Sequence, residues 1–232
     1  MAERVAMISG ANRGIGAAIA AHLAERGWRL SLGMRKPQGL TAPPGGSATL
    51  VSHYDAEDIA SEAAWTEATV QRFGRIDAVI ANAGVMIPKT VIEADDEDLG
   101  LLFQVNVRSP LRLVRAAWPW LVRSGRGRVV TLVSLSGKRV KSARSGLYAM
   151  SKFAALAMTH AIRHAGWDQG VRATAICPGF VATDMAISLA DRAPEDMTQP
   201  GDVARLVGML LDLPNTASVA EIPINSTLEE MV

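Results

Sequence analysis

Short apolar runs alternate with longer amphipathic segments along nearly the whole chain. Arg4–Ser9 carries the unbroken run Val5-Ala6-Met7-Ile8, and Trp28–Gly33, Ala48–Val51, Ile76–Ile80, Gly127–Val133, Val171–Ile176 and Glu221–Ile224 follow as strand-like segments. Between them the apolar positions take helical spacing: Ile15, Ala18, Ile19 and Leu23, then Ala56–Phe73, then Leu147, Met150, Ala154, Met158 and Ile162, then Asp202–Leu213. Continuous apolar runs predict strands buried on both faces, and the intervening periodicity predicts helices. Gly27 and Gly74 stand where the first two helices should stop. Strand and helix in alternation predict an α/β fold. We expect a Rossmann-like, doubly wound sheet of about seven parallel strands with helices on both faces. Thr41-Ala42-Pro43-Pro44-Gly45-Gly46 reads as a surface loop rather than a linker, so residues 1–232 are expected to form a single domain.

The first strand runs into Gly10-Ala11-Asn12-Arg13-Gly14-Ile15-Gly16 and then a helix. Glycine permits a tight turn and close ligand approach, and a helix N-terminus offers free N–H groups to a phosphate. The second strand ends at Met34-Arg35-Lys36. In a dinucleotide fold that end meets the adenosine ribose, where an acid suits NAD and a basic group suits a 2′-phosphate. The fourth strand ends in Ala81-Asn82-Ala83-Gly84, small residues that allow a cofactor near. Asp95-Asp96-Glu97-Asp98 resembles an acidic patch but is better explained as helix-capping carboxylates. The helix that follows carries Leu102, Phe103, Val105, Asn106 and Val107. Asn106, a polar residue in an apolar segment, is either a satisfied core amide or the holder of a structured water.

Composition narrows the function classes. A net charge of +1 gives no bulk electrostatic case for nucleic acid or membrane. The single cysteine, Cys177, excludes an intrachain disulfide and a multi-cysteine metal site, and its apolar setting suggests packing. His22, His53, His160 and His164 form no ligand pattern, so no metal is expected, and His160 and His164 read as surface residues. A strand begins almost at once, which leaves no room for a signal peptide, and no apolar run is long enough to span a bilayer. A reducing, cytoplasmic setting fits.

Tyr148 and Lys152 lie four residues apart in the Ala- and Met-rich helical segment, so they share a face one turn apart. An ammonium beside a phenol favours the phenolate, although one lysine is unlikely to supply the roughly 3 units needed to reach neutrality. By themselves the pair would be an unremarkable feature of an amphipathic helix. In company they are not. Ser9–Gly16 resembles the T-G-x-x-x-G-x-G turn of the short-chain dehydrogenase/reductase family, with Ser for Thr, and Asn82-Ala83-Gly84 resembles its N-A-G. Asp55 matches the family's acidic residue near the adenine. Asn106, Ser134, Tyr148 and Lys152 match its catalytic set, and Pro178-Gly179 with Thr183 match the segment along the nicotinamide.

The resemblance implies hydride transfer between NADP(H), with NAD(H) as the alternative, and a small carbonyl or alcohol substrate. Tyr148 would be the general acid/base and Ser134 would bond the reacting oxygen. Lys152 would lower the Tyr148 pKa and hold the ribose, and Asn106 would position a water leading to Lys152. The cofactor would be bound by Gly10, Asn12, Arg13, Gly14, Ile15, Gly16, Arg35, Asp55, Asn82, Ala83, Gly84, Tyr148, Lys152, Pro178, Gly179 and Thr183. A homodimer or homotetramer, formed through the Asn106 and Tyr148 helices, is also implied. Two rivals on this fold are a non-redox enzyme and a dinucleotide sensor, but the intact turn and the Ser-Tyr-Lys set argue against each.

The sequence departs from the family pattern in places. Ser134 to Tyr148 is one residue longer than usual, and Ser136 is one short. Ser134 is preferred because Gly137 then keeps the family's S-x-x-G. The segment between Thr183 and the Asp202 helix is short for a lid and predicts an open site. Lys138, Arg139, Lys141 and Arg144 place four cations before Tyr148. They are either a solvated loop or a means of steering an anionic substrate.

Overall fold

Alternate residues of the inner strands face opposite sides of one sheet, and both sides are apolar. A computed structural model describes residues 3–38, 48–189 and 191–228, so the Thr41–Gly46 loop lies outside the described residues. Its strands are β1 (Val5–Ser9), β2 (Arg29–Met34), β3 (Thr49–His53), β4 (Ala78–Ala81), β5 (Arg128–Leu132), β6 (Arg172–Pro178) and β7 (Glu221–Ile224). They form one seven-stranded sheet in the order β3-β2-β1-β4-β5-β6-β7, with every neighbouring pair parallel. The expected doubly wound sheet is therefore present.

The helices are α1 (Gly14–Glu25), α2 (Ser61–Phe73), α3 (Asp96–Phe103), α4 (Ser109–Arg123), α5 (Gly146–Gly166), α6 (Asp184–Ile187) and α7 (Pro200–Asp212). Ala6 and Ile8 of β1 pack with Ile19 and Leu23 of α1 and Val203 and Val207 of α7. Met7, between them in sequence, points the other way, toward Trp65 of α2, Leu113 and Ala117 of α4 and Met158 of α5. This period of two, with helices supplied on each side, explains why the strands read as unbroken apolar runs.

Local bonds set three helix boundaries. α2 begins at Ser61 rather than Ala56, because Asp55 and Asp58 hold the intervening residues in turns through bonds to the N–H groups of Glu57 and Ala60. The acidic run is a cap: the Asp95 carboxylate accepts from the Asp98 N–H at 2.8 Å, and Asp98 accepts back from Asp95. The helix that starts there does not end near Val107. It passes through a π-turn, Gln104–Arg108, and continues as α4.

Because all strands are parallel, their carboxyl ends share one edge. The turn after β1, Arg35 after β2, Asp55 after β3, Asn82 after β4, Ser134 after β5 and Gly179 after β6 are collected there. The chain order reverses between β1 and β4, which opens a crevice at that edge.

Candidate active site

The glycine turn has the geometry that a dinucleotide pyrophosphate requires. Gly10 and Gly14 have φ of 66° and 53°, a region that costs other residues free energy. A Cβ on Gly16 would overlap the Gly10 carbonyl, and one on Gly14 would sit 3.0 Å from the Thr183 methyl. Arg13 is the N-cap of α1 but makes no side-chain cap, so the first N–H groups of that helix face the crevice without one. The residues present therefore fit a bound dinucleotide.

The turn is clamped from β4. Asn82 Nδ2 donates to the Ser9 and Gly10 carbonyls at 2.9 and 3.2 Å, and Ser9 Oγ accepts from the N–H groups of Asn82 and Ala83, both at 3.0 Å. Asn82 therefore shapes the turn, whatever else it contacts. Asn12 is exposed, and Ile15 lines the adjoining cavity. Asp55 Oδ1 accepts from the Glu57 N–H at 3.0 Å.

The two arginines are placed differently. Arg35 is exposed just beyond β2, as its position required. Arg13 bonds Asp184 at 2.9 Å, with both side chains largely in solvent. An exposed pair of this kind contributes about 0–1 kcal/mol, so a 2′-phosphate could displace the carboxylate. Met34 is 2% exposed and belongs to the core, so a carboxylate placed there would lose its water.

At the other end of the crevice Tyr148, in the first turn of α5, lines the same cavity as Ser134, whose hydroxyl favours the phenolate. Ser134 Oγ also accepts from the Ser136 N–H at 3.0 Å and lies 3.4 Å from the Pro178 carbonyl. Gly137 touches the α5 backbone, where a Cβ would come within 2.7 Å of the Lys152 carbonyl. That contact sets the register of the loop and leaves the extra residue among the basic positions beyond it. Ser136 also lines the cavity but does not perturb the phenol.

Lys152 is 5% exposed and donates to the Leu132 carbonyl at 2.9 Å, with its ammonium 5.6 Å from the Tyr148 ring centre. Gly84 lies beside it, and a Cβ there would come within 3.2 Å of Asn106 Oδ1 and 3.6 Å of Nζ. Burial pushes the Tyr148 phenol up to about 12 and the Lys152 ammonium down to about 8. The expected lowering of Tyr148 by Lys152 is thus outweighed in the protein alone, because both groups have left water and the ammonium bonds a carbonyl instead.

This burial has a measurable cost. Below about pH 8 the folded chain carries a buried ammonium that the unfolded chain carries in water. The cost is full there and fades as pH rises toward the usual lysine value near ~10.4. Lys152→Met should therefore raise unfolding stability by up to about 3 kcal/mol at pH 7, and by roughly half as much near pH 9.5. Urea unfolding at the two pH values checks this, and a variant less stable than wild type at both would contradict it.

Asn106 lies in the π-turn, buried. Its Nδ2 donates to the Val85 carbonyl and to Ser151 Oγ, and its Oδ1 accepts from the Val85 N–H, all at 3.0 Å. The side chain is a satisfied core amide. The expected water would have to use the main chain, where π geometry displaces carbonyls from regular pairing.

Lys138 also departs from expectation. It turns away from the cavity to pair with Glu221, which His160 joins at 2.8 Å. His160 is accordingly a half-buried partner of β7 rather than a surface residue. Cys177 is buried, and its thiol is pushed up to about 11 by desolvation, as packing implies. Among the described residues no group of three His, Cys, Asp or Glu could hold a metal, and no helix is long and apolar enough to cross a membrane.

The cavity over Ser134 and Tyr148 has a volume of about 740 Å³. The short segment after Thr183 still supplies a wall, through Met185, Leu189 and Arg192, and Asn225 and Thr227 close another side. No motif marks these residues. They arrive from segments far apart in sequence, and only their shared cavity identifies them.

The short chain dehydrogenase family model matches residues 4–194. The chain belongs to the short-chain dehydrogenase/reductase family. Agropine synthesis reductase of Rhizobium rhizogenes is 42% identical over 218 residues, which are 93% of this chain and 50% of that protein. This chain thus spans about half the length of that relative. Among solved structures, an alcohol dehydrogenase from Thermococcus sibiricus complexed with 5-hydroxy-NADP has a TM-score of 0.87 and 30% identity, covering 98% of both chains. A metagenomic short-chain oxidoreductase in complex with NADP has a TM-score of 0.83 and 26% identity, covering 97% of this chain and 98% of its own. The fold of this chain is accordingly that of a short-chain dehydrogenase/reductase throughout the sheet.

Proposed function

We propose that this short-chain dehydrogenase/reductase interconverts a carbonyl compound and its alcohol by hydride transfer, with cofactor binding and catalysis in one domain. The observation that carries the reading is the single cavity lined by both Ser134 and Tyr148, with Lys152 one turn along α5, on the edge where the glycine turn opens. NADP(H), when bound, supplies or accepts the hydride. Tyr148 is protonated at neutral pH and gives its proton to the carbonyl oxygen during reduction. Ser134 hydrogen-bonds that oxygen as charge develops on it. Lys152, still largely charged at pH 7, favours the phenolate that alcohol oxidation requires and offers N–H donors to a ribose. Asn106 holds Val85 and Ser151, and so fixes α5 against the loop after β4. Loss of NADPH absorbance with a panel of ketones tests the proposal. Cofactor binding without turnover on any ketone would favour a sensor.

For the cofactor, NADP(H) over NAD(H) is supported by Arg13 and Arg35, by the lack of an acid after β2, and by the NADP ligands of the two solved relatives. A guanidinium binds a 2′-phosphate through charge-assisted bonds of roughly 1.5–3 kcal/mol, so one good contact predicts at least ~10-fold preference. Arg35→Ala should lower kcat/KM with NADPH by about that factor and leave NADH nearly unaffected. Equal wild-type efficiency with both cofactors would reduce the arginines to solvated charges. Self-association through α4 and α5 is supported by Met150 and Phe153, which leave α5 44% and 43% exposed. Sedimentation would measure it.

A further inference from the structure

We propose that the carbonyl substrate carries an oxyanion, a carboxylate or a phosphate, held across the cavity from Ser134 and Tyr148 by Arg144 and Arg192, with Arg139 and Lys141 beside them. This inference rests on reading the site as a carbonyl reductase and adds the substrate class. All four cations line the cavity, and no Asp or Glu is among the described residues that line it. The chain as a whole has 24 Lys and Arg against 23 Asp and Glu, so the imbalance belongs to the site and not to the composition.

The cations come from two separate places. Arg139, Lys141 and Arg144 lie on the loop between β5 and α5, whereas Arg192 lies beyond α6. A solvated charge run explains the first group but not the arrival of Arg192 at the same cavity. Arg144 Nε donates to the Pro88 carbonyl at 3.1 Å, and Arg192 Nη1 donates to Ser226 Oγ at 3.1 Å. Both acceptors are neutral, so each guanidinium is positioned without having its charge cancelled.

Three carboxylates on neighbouring elements have partners of their own. Glu93 feels the Arg144 charge, but it bonds the N–H and Oγ1 of Thr90. Asp184 pairs with Arg13, and Glu221 with Lys138 and His160. A concave wall of one sign focuses its field into the cavity, and a guanidinium's planar set of donors matches a carboxylate or phosphate.

Three aryl methyl ketones that differ only at the para position test this: 4-acetylbenzoate, 4-acetylphenyl phosphate and methyl 4-acetylbenzoate. Each is assayed for kcat/KM with NADPH. Each is also titrated against the NADPH-loaded protein by nicotinamide fluorescence, which reads binding whether or not turnover follows. At least one charged ketone should exceed the neutral ester by ~10-fold or more in both measurements. The double variant Arg144→Gln/Arg192→Gln should remove that advantage, lowering the preferred charged ketone at least ~10-fold more than the ester. The better of the two charged ketones identifies the oxyanion. Equal behaviour of all three ketones in wild type, or an equal loss on all three in the variant, would overturn the proposal. Charge-selective binding with no reduction would keep the anion site and remove the hydride-transfer reading. Reduction without charge preference would do the reverse.

Discussion

Tyr148→Phe should lower kcat by at least ~100-fold and leave NADPH affinity nearly unchanged, because general acid/base catalysis contributes about that much or more. The phenyl ring keeps the packing of the first turn of α5 and removes only the hydroxyl, which shares the cavity with Ser134. The phenol stands at about 12 in the protein alone, so at neutral pH it holds its proton and is ready to donate in the reductive direction. Alcohol oxidation asks for the reverse and should accelerate with rising pH in the wild type. The Phe variant should lose that dependence, having no group at this position to titrate. Stopped-flow single turnovers with either substrate measure the chemical step directly. A variant retaining more than ~10% of kcat would remove Tyr148 from the reaction.

Ser134→Ala should cost roughly 100-fold in kcat, as the loss of one preorganised donor to a developing oxyanion does, and Ser136→Ala should cost little. The two serines are close in sequence and both line the cavity. They differ in their roles. The Ser134 hydroxyl is the one that acts on the phenol, whereas Ser136 contributes its backbone N–H to Ser134. Alanine at position 136 keeps that N–H, so Ser134 stays in place. KM should move less than kcat in Ser134→Ala, since the bond strengthens as negative charge grows on the substrate oxygen. Reversal of the two results would place the catalytic hydroxyl at Ser136 and shift the loop register by two residues.

Much of this was open to sequence reasoning because it rests on local rules. The strands were legible from apolar runs, since a sheet covered on both sides requires them, and Gly74 ends α2 with φ of 73°. The turn Gly10–Gly16 was legible from backbone sterics. The close approach of the loop to α5 was legible from Gly137, whose missing side chain permits it.

Other features depend on groups that meet only after folding. Lys138 belongs to a charge run in the sequence, yet β7 brings Glu221 beside it and turns it from the cavity. Arg192 carries no motif, and the packing of the α6 segment alone brings it to the cavity that Arg144 also lines. The Asn106 amide was open to two readings until Val85 and Ser151 filled its bonds. The proton affinities of Tyr148 and Lys152 could not be read from their spacing either. A spacing of four residues fixes how near two charges can come, but desolvation is set by everything packed around them. In this protein desolvation is the larger effect, moving the phenol up and the ammonium down. The sequence by itself therefore determined the sheet, the turn and which side chains could react. Tertiary structure decided which charges face the cavity and how tightly each holds its proton, because long-range packing sets both solvent access and partners.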